Sequence, residues 1–348
     1  MKTKGQLFFI TVIFFFISCQ ESEEDKLFPV KKNIHFTEMN VAKELGTVVS
    51  IKSINGYIAV IERNTETQAQ LIDKKTKESY LFGQTGEGPG RFLQSSCIIS
   101  LGADSVGIYD SNKFKVFGCN TDSIIKLKSN YLPEVLIEKV PSFPTTIDRL
   151  NDKEYVALGL TGGLKRFIRL NKNGEIISAE GTLPVKEQEQ ISDMVHAFAY
   201  WGRLATNTTE NKVAICTNYA GIIQIYDCKS EKAELVKEHN LFFADYAEQN
   251  GNFAVTPHTR WGYLSMDSNG KYIFALYSGL YQMGNHNEQG AFLKSNRIHV
   301  FDWNGNPVCQ LIADSKITML CVDSQNIYGY NNETGDILVA SMEDSGLK

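Results

Sequence analysis

The chain has 348 residues, 43% hydrophobic and 22% charged, with a formal charge of −5. That is enough apolar material for a large core. Basic and acidic side chains nearly balance, 35 against 40, with no Lys/Arg-rich run, so nucleic acid is set aside as a partner.

The first element is an apolar run over Leu7–Ile17, broken by Thr11 and preceded by Lys2 and Lys4. It falls short of the about 20 residues a membrane span needs and fits the apolar part of a signal peptide over residues 1–18. Small Ser18 directly before Cys19 resembles a lipobox, so Cys19 is expected to be lipidated and to anchor the mature chain in a membrane. Glu21, Glu23, Glu24 and Asp25 follow, too dense in charge to pack. Residues 19–32 are therefore read as a flexible acidic tether. Serine plus acids after the cysteine also resembles a surface-export signal, which points to an outer-membrane lipoprotein of the cell envelope, displayed at the surface.

Residues 33–348 repeat one unit: an apolar strand, a small polar turn, another apolar strand. Radial repetition of four-stranded sheets is the economical reading, an all-β, six-bladed β-propeller in a single domain. Blade one is expected over Thr47–Ile54, Tyr57–Arg63, Gln68–Asp73 and Ser79–Gly83; blade two over Ser96–Leu101, Ser105–Asp110, Phe114–Cys119 and Ser123–Lys128. Blade three follows over Thr145–Leu150, Glu154–Leu160, Lys165–Asn171 and Glu175–Ser178; blade four over Tyr200–Thr206, Lys212–Asn218, Gly221–Asp227 and Lys232–Glu238. Blade five takes Arg260–Met266, Lys271–Ser278, Arg297–Asp302 and Pro307–Ile312. Blade six takes Ile317–Val322, Asn326–Tyr330 and Asp336–Met342 and lacks an outer strand, while Asn33–Asn40 is a strand without a sheet. Open edges are a liability, so this N-terminal strand is expected to close the last blade. The six remaining cysteines, Cys97, Cys119, Cys216, Cys228, Cys309 and Cys321, are expected as buried free thiols, since a large sheet core needs no disulfides.

Turns within the blades are short and rich in Asn and Gly, as in Asn55-Gly56 and Ser268-Asn269-Gly270, which supply the positive φ of tight hairpins. Asp73, Asn120, Asn171, Asp227 and Asp302 end the third strands and are expected to form Asx-turns. The other connections are long: 84–95, 129–144, 179–199, 239–259 and 279–296. Propeller geometry puts all of these on one face, and loops of such length are usually functional.

Gly83-Gln84-Thr85-Gly86-Glu87-Gly88-Pro89-Gly90-Arg91-Phe92 resembles the G-x-G-P-G-E-F signature of six-bladed, TolB-like propeller lipoproteins from one group of Gram-negative bacteria. Ile298–Gly305 is similar to that family too. The resemblance implies the fold and an envelope location but no settled activity. Arg91 departs from it, standing where the family has an acid. The loop is not a P-loop, because it leads into a strand and Pro89 removes a donor.

No catalytic signature emerges: no G-x-S-x-G, no S-x-D-x-G-x-x-W, and no ligand spacing among His196, His258, His286 and His299. His299 is expected to be packed in the sheet. Trp201 and Arg203 open blade four, His258, Arg260 and Trp261 open blade five, and the 279–296 insertion adds Tyr281, Asn285, His286, Asn287 and Glu288. Aromatic rings beside guanidinium forks suit a glycan, peptide or protein partner. Trp201, Arg203, His258, Arg260, Trp261, Tyr281 and His286 are therefore the candidate ligand-binding residues of a non-catalytic module without cofactor. The alternative is a metal-dependent hydrolase or lactonase, with Glu62, Asn207 and Asn218 as oxygen ligands at the channel.

Overall fold

The computed structural model describes residues 22–347 apart from 142, 161–163, 186–189, 285 and 287. The signal peptide, Cys19, Asn285 and Asn287 thus lie outside the described residues. A short helix α1 (Glu23–Leu27) and strands β1 (Lys31–Ile34) and β2 (Thr37–Glu38) precede six sheets arranged as blades.

Blade one is β3 (Thr47–Ile54), β4 (Tyr57–Arg63), β5 (Thr67–Asp73) and β6 (Ser79–Gln84). Blade two is β7 (Ser95–Gly102), β8 (Ser105–Asp110), β9 (Lys115–Asn120) and β10 (Glu134–Ile137), with helix α2 (Thr121–Leu127) between its last two strands. Blade three is β11 (Phe143–Arg149), β12 (Glu154–Leu160), β13 (Phe167–Asn171) and β14 (Ile176–Glu180). Helix α3 (Asp193–Ala199) leads to blade four, β15 (Gly202–Asn207), β16 (Lys212–Thr217), β17 (Ile222–Asp227) and β18 (Glu234–Asn240). A hairpin, β19 (Ala247–Gln249) and β20 (Asn252–Ala254), precedes blade five, β21 (Tyr263–Ser268), β22 (Tyr272–Tyr277), β23 (Ser295–Asp302) and β24 (Pro307–Ile317). Blade six is β25 (Met319–Val322), β26 (Asn326–Asn331) and β27 (Asp336–Ser341).

The middle strands are sealed on both faces by neighbouring blades, so they read as continuous buried runs. β16 is buried at all six positions, and β4 at its five central ones. Six apolar cores result, one in each seam between blades. Leu71, Phe82, Ile98 and Phe117 fill the seam of blades one and two; Val60, Ile72, Cys321 and Tyr330 fill that of blades six and one. The six cysteines expected as thiols are free and buried in these seams.

The inner strands form a closed ring, β25 returning to β3. Side chains bridge the gaps between them where no ladder can. Ile98 N–H donates to Ser50 Oγ at 3.2 Å, Ile147 N–H to Cys97 Sγ at 3.5 Å, and Thr206 Oγ1 to Asp148 at 3.3 Å. Ser268 Oγ donates to Thr206 O at 3.1 Å, Val322 N–H to Asp267 at 2.9 Å, and Ser53 Oγ to Asp323 at 3.2 Å.

The N-terminal closure holds, in a divided form. β2 pairs antiparallel with β27 and becomes the fourth strand of blade six, while β1 pairs parallel with β24 as a fifth strand on blade five. The stretch expected as a single strand therefore serves two sheets. The supposed flexible tether is ordered from Ser22 on. Ser22 caps α1, Phe28 is 1% exposed between His299 and Phe301, and Glu24 reaches Arg297 at 2.6 Å, His299 at 3.1 Å and Gln310 at 2.5 Å.

The outer strand of blade two is a correction. Ser123–Lys128 is not a strand: residues 121–127 form α2, and β10 takes the outer place. Asn120 is the cause. Its side chain accepts from Ser123 N–H at 2.9 Å as an N-cap, with Asp122 in the first turn and Ile124 buried beneath. Elsewhere the Asx expectation stands. Asp73 accepts from Lys75 and Thr76, Asn171 from Asn173, Asp227 from Lys229 and Asp302 from Asn304, each through backbone N–H.

Candidate functional site

The long loops order themselves around aromatic side chains. α3 starts at Ser192, whose hydroxyl accepts from Val195 N–H at 3.4 Å and whose own N–H donates to Glu248 at 2.6 Å. The helix buries His196 against Tyr246 Oη (2.5 Å) and Pro184 O (2.8 Å) and presents Phe198 at its last turn. From Phe198 a run of half-buried rings crosses the loops of blades four and five. Centroids lie 4.8 Å apart for Trp201–Phe198, 5.2 Å for Phe198–Phe253 and 4.7 Å for Phe253–Tyr219. Tyr219–Trp261 follows at 4.9 Å and Trp261–Phe292 at 5.7 Å. These spacings and tilts are those of favourable edge and offset contacts.

The blade-five insertion packs on the end of this run. Trp261 Nε1–H donates to Gln282 at 3.1 Å, and Arg260 is clasped between the Phe242 ring (4.2 Å) and the Tyr281 ring (5.1 Å). Arg260 also donates twice to Gly279 O. His286 bonds Tyr281 O at 2.6 Å, and Tyr281 stays 45% exposed.

Below this face runs the axial channel, a cavity of about 70 Å³ lined by all six inner strands, among them Ser50, Lys52, Cys97, Asp148, Arg203 and Asp267. Toward the short-turn end, Lys52 Nζ lies 2.8 Å from Asp267 and 3.5 Å from Asp148. Burial alone would lower the Lys52 ammonium, but the two carboxylates outweigh it and hold the group above its ordinary range. Burial lowers Arg203 and pushes the Cys97 thiol up to about 12.

The model of the TolB-like 6-blade propeller-like family matches residues 71–325. The chain belongs to that family. No curated protein matches it. Its fold is similar to a DUF4221 family member from Bacteroides vulgatus, at 11% identity and a TM-score of 0.53, covering 88% of this chain and 97% of that one. A candidate exported protein from Bacteroides fragilis is similar at 10% identity and 0.51, covering 90% and 98%. So is the calcium-binding protein regucalcin from Agrobacterium tumefaciens, at 8% identity and 0.50, covering 89% and 96%. At these identities the likeness is one of fold.

In this TolB-like propeller the glycine-rich signature is a buttress. Gly83 takes φ +75° directly over Phe92, where a Cβ would stand 2.2 Å from the ring. Gly86 N–H donates to Phe92 O, and Lys113 Nζ ties Arg91 O at 2.7 Å. Phe92 is fully buried.

The seven candidate residues divide into groups. Arg260, Trp261, Tyr281 and His286 come together, and Trp201 joins them through Phe198 and Tyr219. Arg203 lies apart, in the channel; His258 is exposed on a turn, its backbone N–H donating to Thr256 Oγ1. Sequence reasoning missed Phe198, Tyr219, Phe253 and Phe292. Each lies in a connection of the long-loop face, which was the available signal.

The oxygen ligands weighed for a channel metal do not converge. Glu62 accepts from Gly46 N–H and Gln70 Nε2 at the long-loop end of blade one. Asn207 accepts from Thr209 and Glu210 N–H at the opposite end of blade four. Asn218 sits back on the long-loop side, beside Trp201 O. Among the described residues, no group of three or more His, Cys, Asp or Glu could hold a metal ion. His299 is fully buried, as expected, but it also receives Glu24.

Proposed function

We propose that this protein is a lipid-anchored propeller of the cell envelope that binds a glycan, peptide or protein through its long-loop face, without catalysis. The observation that carries this reading is the run of half-buried rings from Trp201 to Phe292, flanked by exposed Tyr281. Ring faces at a partly open surface suit stacking on sugars or on peptide side chains. The anchor rests on Cys19 and the segment before it.

Arrays of envelope glycans and peptides, probed with residues 22–348, test the face. Hits for the wild type that weaken at least tenfold in a Trp261→Ala/Tyr281→Ala double variant support it. Equal binding by the double variant removes these residues from the site. For the anchor, Cys19→Ala should move the protein from the membrane to the soluble fraction; continued membrane association refutes lipidation.

A further inference from the structure

The channel has two ends of opposite electrical character. At the short-turn end, Lys52 is satisfied between two carboxylates, leaving that end with a net negative charge. At the long-loop end stands Arg203, the second residue of β15. Its Nε–H donates to Leu264 O at 3.3 Å, and its Nη nitrogens have no acceptor among the described residues. It has no carboxylate at ion-pair distance among them either. Arg63, of the same sign, opposes its charge. Arg63 ends β4 opposite Thr47, so it stands at the long-loop rim of blade one, across the ring from blade four. Arg63 itself has no ion pair among the described residues. The Arg203 guanidinium also acts on Cys97 of blade two and reaches blade five through Leu264, which places it near the channel axis.

A guanidinium partly withdrawn from water, as half-buried Arg203 is, gains from an anion or several acceptors that compensate it. This one has a single acceptor, a like charge for company and an open cavity beside it. By contrast Arg166, fully buried where Arg203 is half-buried, is met by Gln224 Oε1, Tyr200 O and Cys216 O. The fork geometry of a guanidinium matches two oxygens of a carboxylate or phosphate. The cavity of about 70 Å³ beside Arg203 has room for a small polar head group.

We propose that Arg203, assisted by Arg63 across the channel mouth, binds an oxyanion: the carboxylate or phosphate group of a ligand whose remainder lies on the long-loop face. This rests on the reading of that face as the binding face and names the charge its ligand carries.

The test is titration of the ¹⁵N-labelled domain, residues 22–348, with inorganic phosphate and, separately, with acetate. The Arg203 Nε–H resonance should shift with saturation at a dissociation constant on the order of 1–10 mM. Preference for phosphate assigns a phosphorylated ligand, and preference for acetate a carboxylate. Arg203→Gln should weaken binding at least tenfold, Arg63→Gln a few-fold, and Arg203→Lys should retain part of it. Absence of any shift with either anion, or equal affinity in Arg203→Gln, overturns the proposal. The wild-type resonance keeps the test decisive even if a variant folds poorly. Anion binding at Arg203 together with unchanged array binding in the Trp261/Tyr281 variant would sink the aromatic site and leave this one standing.

Discussion

At the residue scale, two positions carry more of the fold than their neighbours. Gly83 combines a left-handed φ with the Phe92 ring directly beneath it. Gly83→Ala should therefore lose stability twice, through backbone strain and through overpacking, on the order of 2–4 kcal/mol together. Urea denaturation at constant slope measures it; a midpoint equal to wild type would show that the buttress yields freely. Lys52 is the second position. Lys52→Met leaves Asp148 and Asp267 facing each other in a small cavity, and breaking a buried pair this way costs about 3–5 kcal/mol. Adding Asp148→Asn and Asp267→Asn to that variant should restore part of the loss, measurable by thermal melting; no recovery would mean that the ammonium, not the stranded carboxylates, sets the cost. The family signature was legible in sequence as a motif, but its physical meaning was not. Nothing local says that Phe92 folds back under Gly83, because that contact spans the turn.

At the scale of elements, strand positions were legible wherever burial on both faces wrote unbroken apolar runs, as in Val213–Cys216 of β16 and Tyr57–Ile61 of β4. Two elements escaped. Ser123–Lys128 carries strand-like residues, yet Asn120 and Asp122 start a helix, and the capping bond decides the matter. The segment from Ser22 to Val30 reads as solvated on charge density alone, because its partners lie some 270 residues away in β23 and β24. Its docking also predicts a pH dependence. Burial raises the Glu24 carboxyl, but the His299 hydrogen bond and the Arg297 charge outweigh it and hold it below its ordinary 4.5. Burial lowers His299 below its ordinary 6.5, with Glu24 opposing. In both cases the unfolded chain binds more protons, so stability rises with pH. Stability should begin to fall as pH drops through about 6.5, and fall again below 4.5 as Glu24 protonates. Melting temperatures of wild type and Glu24→Gln across pH 3.5 to 7.5, at roughly half-unit steps, check this; parallel curves would exclude Glu24 from the lower step.

At the scale of the molecule, the ring shares out its N-terminus between two blades, so the two strands should fail differently when removed. A chain beginning at Phe36 keeps β2 and should fold with a lowered melting temperature. One beginning at Asn40 leaves the edges of β24 and β27 both bare, and should aggregate in size-exclusion chromatography. Equal behaviour of the two would show that β2, two residues long, contributes nothing to closure. The candidate face was legible in sequence as an excess of loop length, while its aromatic run was not, since its rings come from four separate connections. The docking of Glu24 and Phe28 has a consequence for how the proposed lipoprotein would sit. Ser22 is three residues from Cys19, a reach of roughly 10 Å at full extension. On so short a mooring, the disc cannot float at arm's length from the bilayer. The outer edge of blade five, where α1 docks, would then lie nearest the lipid. Spin labels on Lys31 should then be broadened by paramagnetic lipid, and labels on exposed Lys126 of blade two, across the ring, much less.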